Sequence, residues 1–362
     1  MKTALILNFT GNYYHYGCYG TSYEIYYRLL EHGYFVNYIS VRATHGLECY
    51  PDTGEKFLDP DFAHKFTRAN PTLFASLHEA DIVVVNGEGT LHHLSKGSMT
   101  LLYMIYLASK IMKKDVYLIN HSCYPMGDTS RGDVDLLYQQ ALSGLRDIVI
   151  REPLSACFYQ ASSIACTEGF DSLPLFMGRH DLLGLRNDGI DAGKIIICGG
   201  ISYSEAMVSK IASALSATGN DHSFEFLVGG KSDLAPEDFD VLSLLEKAGL
   251  EVRLKEAKNF ADWCGSMANA KLMVSGRFHY TVAAMALGVP CISFPSNTPK
   301  TRGIYQMFDL DGYLEWDDKD FSEKLDGLLV RAANNELALA DDQRQLMIES
   351  AEKNYTGLAR VG

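Results

Sequence analysis

Two groups of residues have the types and spacing for chemistry on anions. The first lies between Leu272 and Ile304, where Ser275-Gly276-Arg277-Phe278-His279 is followed by Lys300 and Arg302. A guanidinium presents a fork of donors that matches a phosphate or a carboxylate, so Arg277 is a candidate anion ligand. A histidine can serve as acid, base or phosphate ligand, which makes His279 the second candidate. Lys300 and Arg302 add a second cationic pair to the same unit. Taken singly, each has a plainer reading: Arg277 as a cap on a neighbouring strand's carbonyls, His279 as a histidine that starts a helix. The second group is Asn86-Gly87-Glu88-Gly89-Thr90-Leu91-His92-His93. Gly87 and Gly89 let the backbone approach a ligand, and they hold Glu88 at a strand's end as an acid or base. The alternative is a glutamate that binds nearby backbone N–H groups. His92 and His93 are adjacent, so on a helix they point about 100° apart and at most one faces a site. His121 closes another strand. None of these has metal-ligand spacing, so no metal and no cofactor are expected.

The elements that must position these residues follow from the hydrophobic pattern. Leu272 to Val274 is the end of a buried strand and Ser275-Gly276 breaks it. A short helix runs to Leu287, Gly288 stops it, and Val289 to Phe294 is the next strand. Strand, polar turn, helix, strand is one unit of a parallel α/β sheet. Ligands of such sheets sit at the carboxyl ends of the strands, against helix N-termini, which is where Ser275, Gly276, Arg277 and His279 fall.

The same pattern recurs along the chain. Leu5 to Asn8 is a first strand. A Gly- and Tyr-rich loop, Thr10 to Ser22, follows it, and then a helix that Gly33 ends. This loop brings Asn12, Tyr14, His15 and Tyr16 towards a ligand cleft, Tyr rings suiting a sugar face; a packed tyrosine cluster is the competing reading. Phe35 to Val41 is a strand, residues 43 to 75 read as irregular, and Asp81 to Val85 is a buried strand running into Glu88. A helix over Leu101 to Met112, strands over Asp115 to Asn120, Arg146 to Ile150 and Ser163 to Cys166, and a polar segment over 179–193 complete the first half. Lys194 restarts a strand that opens at Gly199-Gly200. Helices are expected over Pro236 to Ala248, Phe260 to Asn269, Asp320 to Ala332 and Asn335 to Asn354. We therefore expect an N-terminal domain over 1–178, a linker over 179–193, a C-terminal domain over 194–332, and a closing C-terminal helix over 333–362.

Three segments together, Ser275-Gly276-Arg277-Phe278-His279, Ala286-Leu287-Gly288-Val289-Pro290 and Lys300-Thr301-Arg302-Gly303, resemble the C-terminal signature of the polysaccharide pyruvyltransferase family. That resemblance implies two Rossmann-like domains with parallel sheets and a cleft between them, like GT-B glycosyltransferases. It implies transfer of a pyruvyl group from phosphoenolpyruvate onto a sugar of a cell-surface glycan, such as a capsule or lipopolysaccharide precursor, forming a ketal. Arg277 and His279 match the family's anion-binding and catalytic pair, and Asp171 matches an acidic position of the family. Asp171 or Glu88 would take the acceptor's proton, with His279. Gly87, Gly89, Thr90, His92 and His121 would lie on the acceptor side. Two departures stand out. The family often has Asp after the glycine where this chain has Cys18, and Gly where this chain has Glu88. The second departure keeps a glycosyl-transfer alternative open. In it a CMP-activated ulosonic acid such as Kdo is the donor and Glu88 and Asp171 are the paired carboxylates.

Composition narrows the partners. The 362 residues carry a formal net charge of −13, which argues against nucleic acid or an anionic membrane surface as the main partner. The expected partners are a phosphoenolpyruvate or nucleotide-sugar donor and a glycan or lipid-linked glycan acceptor. The eight cysteines are scattered without a CxxC and read as free thiols packed in a reducing cytoplasm. No stretch approaches the length of a membrane span, so membrane association is expected to be peripheral at most.

Overall fold

In the computed structural model, residues 2–11, 15–126, 133–188, 191–200, 203–219, 221–230 and 236–358 are described. Two compact units emerge. The first comprises Met1–Tyr13, Thr21–Ser172 and Ser350–Gly362, the second Tyr14–Gly20 and Leu173–Glu349. Among the described residues no helix is long and apolar enough to cross a membrane.

The first unit is built on six parallel strands: β1 (Thr3–Phe9), β2 (Phe35–Ser40), β3 (Ile82–Glu88), β4 (Asp115–His121), β5 (Asp147–Ile150) and β6 (Thr167–Glu168). Their order is β2-β1-β3-β4-β5-β6. The central strands read as continuous runs of Val, Ile and Leu because both faces are covered; β3 is buried from end to end. The second unit holds β7 (Asp191–Gly200), β8 (Ser223–Val228), β9 (Val252–Glu256), β10 (Ala270–Gly276) and β11 (Cys291–Ser293), in the order β11-β10-β7-β8-β9. Every pairing in both sheets is parallel. In each sheet the first strand has neighbours reached by crossovers in opposite directions. The topological switch points therefore lie between β1 and β3, and between β7 and β10, where α/β sheets leave a crevice for ligands.

Several local expectations are corrected. The loop expected over Thr10–Ser22 is mostly helix: an α-helix runs from Tyr16 to Glu31. Its aromatic, glycine-interrupted start has weak helix propensity, and tertiary contacts override it. Residues 43–75 are not irregular. They hold helices Glu55–Leu58, Pro60–Ala69 and Pro71–Glu79. Pro60 and Pro71 occupy first helical positions rather than breaking helices, and Asp59 caps the middle one through Asp61 N. Neither His92 nor His93 is on a helix: His92 forms an isolated β-bridge with Tyr124, and His93 lies in the turn that follows, with φ of 51°. Gly199 and Gly200 continue β7 instead of opening a loop, and Val252–Glu256 is a strand that the exposed charges of its sequence conceal. The closing helix begins at Asp341 rather than Asn335. Arg186, in the segment expected to be a linker, donates to the carbonyls of Ala268 and Ala270.

At the end of β5, Glu152 caps the turn Pro153–Ser155, accepting from Ser155 N at 3.1 Å and from its hydroxyl. Burial is the first cause that pushes this carboxyl up, to about 6, with Ser155 pulling it back. The folded state thus holds the proton more tightly than an unfolded carboxyl titrating near 4.5. The group's contribution to stability is complete below that value and is lost as pH rises through about 6. Glu152→Gln is therefore expected to gain stability relative to wild type between pH 4.5 and 7, by on the order of 2 kcal/mol. Urea unfolding at the two pH values checks this, and a difference that does not change with pH contradicts it.

Candidate functional site

The second unit's switch point is assembled by close backbone packing. Gly276, at the end of β10, pairs in register with Gly200 of β7. A Cβ on Gly276 would lie 2.8 Å from Gly200 Cα and 2.9 Å from Gly199 O. A Cβ on Gly199 would lie 2.0 Å from Asp238 Oδ1. Glycine at these places lets the two strand ends and the helix Pro236–Lys247 close on one another. Ser275 ties the turn that follows: its hydroxyl accepts from Arg277 N at 3.1 Å and donates to Arg277 O at 2.9 Å. Ser275 and Gly276 thus shape the turn that carries Arg277.

Arg277 is the N-cap residue of the helix Phe278–Ala286, with extended backbone. Its Nε and Nη2 donate to Asp238 Oδ1 at 3.0 and 2.7 Å, and Glu237 Oε2 stands 3.7 Å away. Asp238 is buried, and the Arg277 side chain is 10% exposed. Burial opposes the Arg277 charge, but Asp238 outweighs it and holds the guanidinium above its ordinary value. Burial pushes the Asp238 carboxyl up, and Arg277 pulls it back. Sequence reasoning missed Asp238. Pro236-Glu237-Asp238 reads as an acidic first helical turn favoured by the helix dipole, and only the fold gives it a partner.

His279 is buried in the first turn of the same helix. The start of the helix Tyr16–Glu31 packs against it. A Cβ on Gly17 would fall 2.2 Å from His279 Cβ, so only glycine permits this approach. Cys18 Sγ lies 3.7 Å from His279 Nδ1 and 3.9 Å from His15 Nε2. The helix start is anchored by Tyr16: its N–H donates to Gly229 O at 2.7 Å and its hydroxyl to Ala257 O at 3.3 Å. Tyr16 is thus an anchor within this unit. His15 is held well below the usual imidazole range, first by burial, then by the charges of His279, Arg277 and Lys300. Lys300 is buried, donates to Asn297 Oδ1 and stands 5.8 Å from the Phe278 ring centre. Arg302 instead pairs with Glu315 at 3.2 Å and is about one-third exposed. Beside Gly276, an apolar slot is lined by Gly200, Tyr203, Phe294 and Trp316, the last two rings stacked 4.7 Å apart.

The first unit's switch point is a polar lattice. Glu88 ends β3 with φ of 40°, a conformation costly for glutamate. It is buried and accepts from Thr10 Oγ1, from Thr21 Oγ1 at 3.0 Å and from Asn86 Nδ2 at 3.0 Å. These donors are side chains, not the backbone N–H groups the sequence suggested. Asn8, Asn86 and Asn120, at the ends of β1, β3 and β4, extend the lattice. Asn8 donates to Asn86 O and Thr90 Oγ1, and Asn120 to Asn86 Oδ1. Gly87 gives room to His121, whose ring would otherwise meet a Cβ at 2.7 Å. His121 is fully buried, its Nε2 lies 2.6 Å from the Tyr159 hydroxyl, and burial brings it down to about 3. Thr90 N donates to Gly87 O, and Gly89 O lies 2.6 Å from His92 Nδ1. Thr90 and His92 remain partly exposed. Asp171 is wholly buried and accepts from Arg151 Nη1 at 2.7 Å. Asn12 and Tyr14 lie outside the described residues.

The structure thus brings together His15, Cys18, Asp238, Arg277, His279 and Lys300 in the second unit, and Glu88 with Thr90 in the first. The sequence showed no ligand set for a metal because the Cys18–His279 contact spans 261 positions. Removing Asp238 would leave a buried guanidinium without its partner. Asp238→Ala is expected to destabilise the chain by about 3–5 kcal/mol, and Asp238→Ala with Arg277→Met to recover much of that loss. Urea unfolding checks both. A loss under about 1 kcal/mol for the single variant, the worth of an exposed pair, would contradict the pairing.

The profile of the family described as polysaccharide pyruvyl transferase matches residues 15–298. Among curated proteins, none matches the chain significantly. Solved structures of similar fold include UDP-GlcNAc 2-epimerase from Methanocaldococcus jannaschii in complex with UDP-GlcNAc and UDP, at 13% identity and a TM-score of 0.57, covering 100% of this chain and 99% of that one. Anabaena Alr3699/HepE in complex with UDP and glucose is similar at 12% identity and a TM-score of 0.54, covering 99% and 96%. A glycosyltransferase from Rickettsia africae is similar at 12% identity and a TM-score of 0.56, covering 99% and 97%. At such identities these likenesses show the fold, the two Rossmann-like domains of GT-B proteins. The family match covers most of the chain, and it includes Arg277 and His279. The chain belongs to the polysaccharide pyruvyl transferase family, and it is a transferase that modifies polysaccharide.

Proposed function

We propose that the chain moves a pyruvyl group from phosphoenolpyruvate onto a sugar of a glycan or lipid-linked glycan, forming a ketal. The observation that carries this reading is the buried cationic group at the β7/β10 switch point, in a chain of this family. Phosphoenolpyruvate offers a phosphate and a carboxylate. Nε and Nη2 of Arg277 face Asp238, and among the described residues no hydrogen bond occupies Nη1. That edge, with Lys300, meets the donor's anionic groups. Ketal formation protonates the donor's methylene carbon, adds two sugar hydroxyls at its neighbour and releases phosphate. His279 is the proton carrier. Arg302 contributes at most at the periphery, since its guanidinium is engaged by Glu315.

On the acceptor side we assign the open positions Thr90 and His92 to sugar contact. Glu88, Gly87, Gly89 and His121 support them, since Glu88 is enclosed by three donors and His121 by Tyr159. Asp171 keeps Arg151 in place. A nucleotide-sugar donor is the second reading. The slot lined by Tyr203, Phe294 and Trp316 favours it, because it suits a planar base, and solved neighbours are complexes with UDP sugars. Against it, both carboxylates it would use are committed to other partners.

Thermal unfolding with phosphoenolpyruvate, CMP and UDP in separate samples tests the choice. A ligand at 100 times its dissociation constant adds about 2.7 kcal/mol. A raised midpoint with phosphoenolpyruvate, abolished in Lys300→Ala, is expected. A shift with CMP or UDP and none with phosphoenolpyruvate would overturn the pyruvyl reading in favour of the nucleotide sugar.

A further inference from the structure

Three soft donor atoms converge in the second unit. His15 Nε2, Cys18 Sγ and a ring nitrogen of His279 lie within 4.8 Å of one another. The sulfur stands 3.9 Å from His15 Nε2 and 3.7 Å from His279 Nδ1. In a tetrahedral zinc site, with its ordinary Zn–S and Zn–N bonds, sulfur and nitrogen ligands are about 3.6 Å apart. Both sulfur–nitrogen distances therefore stand within a few tenths of an ångström of the spacing that such an ion imposes, and the ring nitrogens lie within 4.8 Å of each other.

The backbone builds this arrangement. His15 and Cys18 are three positions apart where the helix Tyr16–Glu31 begins, so they share a face. Gly17, between them, admits His279 at a distance no other residue allows. Tyr16 pins the same turn to Gly229 and Ala257. A packing role accounts for a buried cysteine, but it does not account for two imidazoles aimed at one sulfur.

We propose that His15, Cys18 and His279 form a three-ligand site for a borderline-soft divalent cation of the Zn²⁺ type, with a fourth position open to water. Thiolate and imidazole together select such an ion over Mg²⁺ or Ca²⁺. Three protein ligands and an open position are the arrangement of a reactive rather than a closed structural site. An ion on Nδ1 and a proton on the same nitrogen exclude each other, so the ion-bound chain is a state distinct from the one in which His279 carries a proton. The site stands apart from the choice of donor, because an ion can bind with no donor present.

The test uses the full chain, stripped by chelation and titrated with Co²⁺ and then Zn²⁺ alone. The expected result is one ion per chain and a thiolate-to-cobalt charge-transfer band in the near ultraviolet. Cys18→Ser should lose that band and His15→Gln should bind Zn²⁺ at least tenfold more weakly, both with unchanged circular dichroism. No charge-transfer band in wild type at saturating Co²⁺ overturns the site, as does undiminished Zn²⁺ affinity in His15→Gln. Should Cys18→Ser fail to fold, the wild-type spectrum and His15→Gln decide between these outcomes.

Discussion

The buried pair of Arg277 and Asp238 is the contact on which the second unit's reactive end depends. A guanidinium taken out of water without a partner is costly, so the helix Pro236–Lys247 must bring its carboxylate to the strand end. It can do so only because Gly199 leaves space where a side chain would strike Asp238. Gly276 and Gly200 then close the two strands against each other. Three glycines, one acid and one base thus set where the helix Phe278–Ala286 starts. That start decides where His279 stands and which nitrogens of Arg277 meet Asp238. The order of causes is backbone contact first and charge pairing second, and the proposed ligand recognition depends on both.

The first unit solves the same topological problem differently. Its strand ends carry Asn8, Glu88 and Asn120 in left-handed backbone. Asparagine tolerates that conformation; glutamate does so at a cost, which three hydrogen bonds from Thr10, Thr21 and Asn86 offset. The lattice reaches the chain's last helix, where Asn354 accepts from Asn120 N and donates to Phe170 O. Residues 350–362 accordingly group with the first unit, far in sequence from its other strands. This polar network joins three strand ends through side-chain hydrogen bonds, with Asn8 Oδ1 the member atom left without a partner among the described residues, and Thr90 stands at its open margin.

Much of this was legible in the sequence. Apolar runs followed by glycine located β1, β3, β10 and the turn at Ser275, and the periodic pattern implied parallel sheets. Arg277, His279 and Lys300 do meet in one unit, as their spacing in a strand–helix–strand segment required. Other features were hidden for physical reasons. Asp238 belongs to a helix distant in sequence, and nothing local distinguishes it from an ordinary acidic first turn. Cys18 reads as a small apolar residue until the fold brings His279 to it. Glu88 looked presented because glycines flank it, whereas hydroxyls from Thr10 and Thr21 enclose it. The helices Pro60–Ala69 and Pro71–Glu79 were lost because proline breaks a helix interior but suits its first turn.

We propose that Arg277 recognises the donor through the geometry of its fork, fixed by Asp238, and not through charge alone. Isothermal titration of phosphoenolpyruvate into wild type and Arg277→Lys addresses it most directly. Lysine keeps the charge but cannot engage a carboxylate and an anion together from one planar group. An affinity at least tenfold weaker in Arg277→Lys, with the fold intact, is expected. Equal affinities in the two proteins would contradict it.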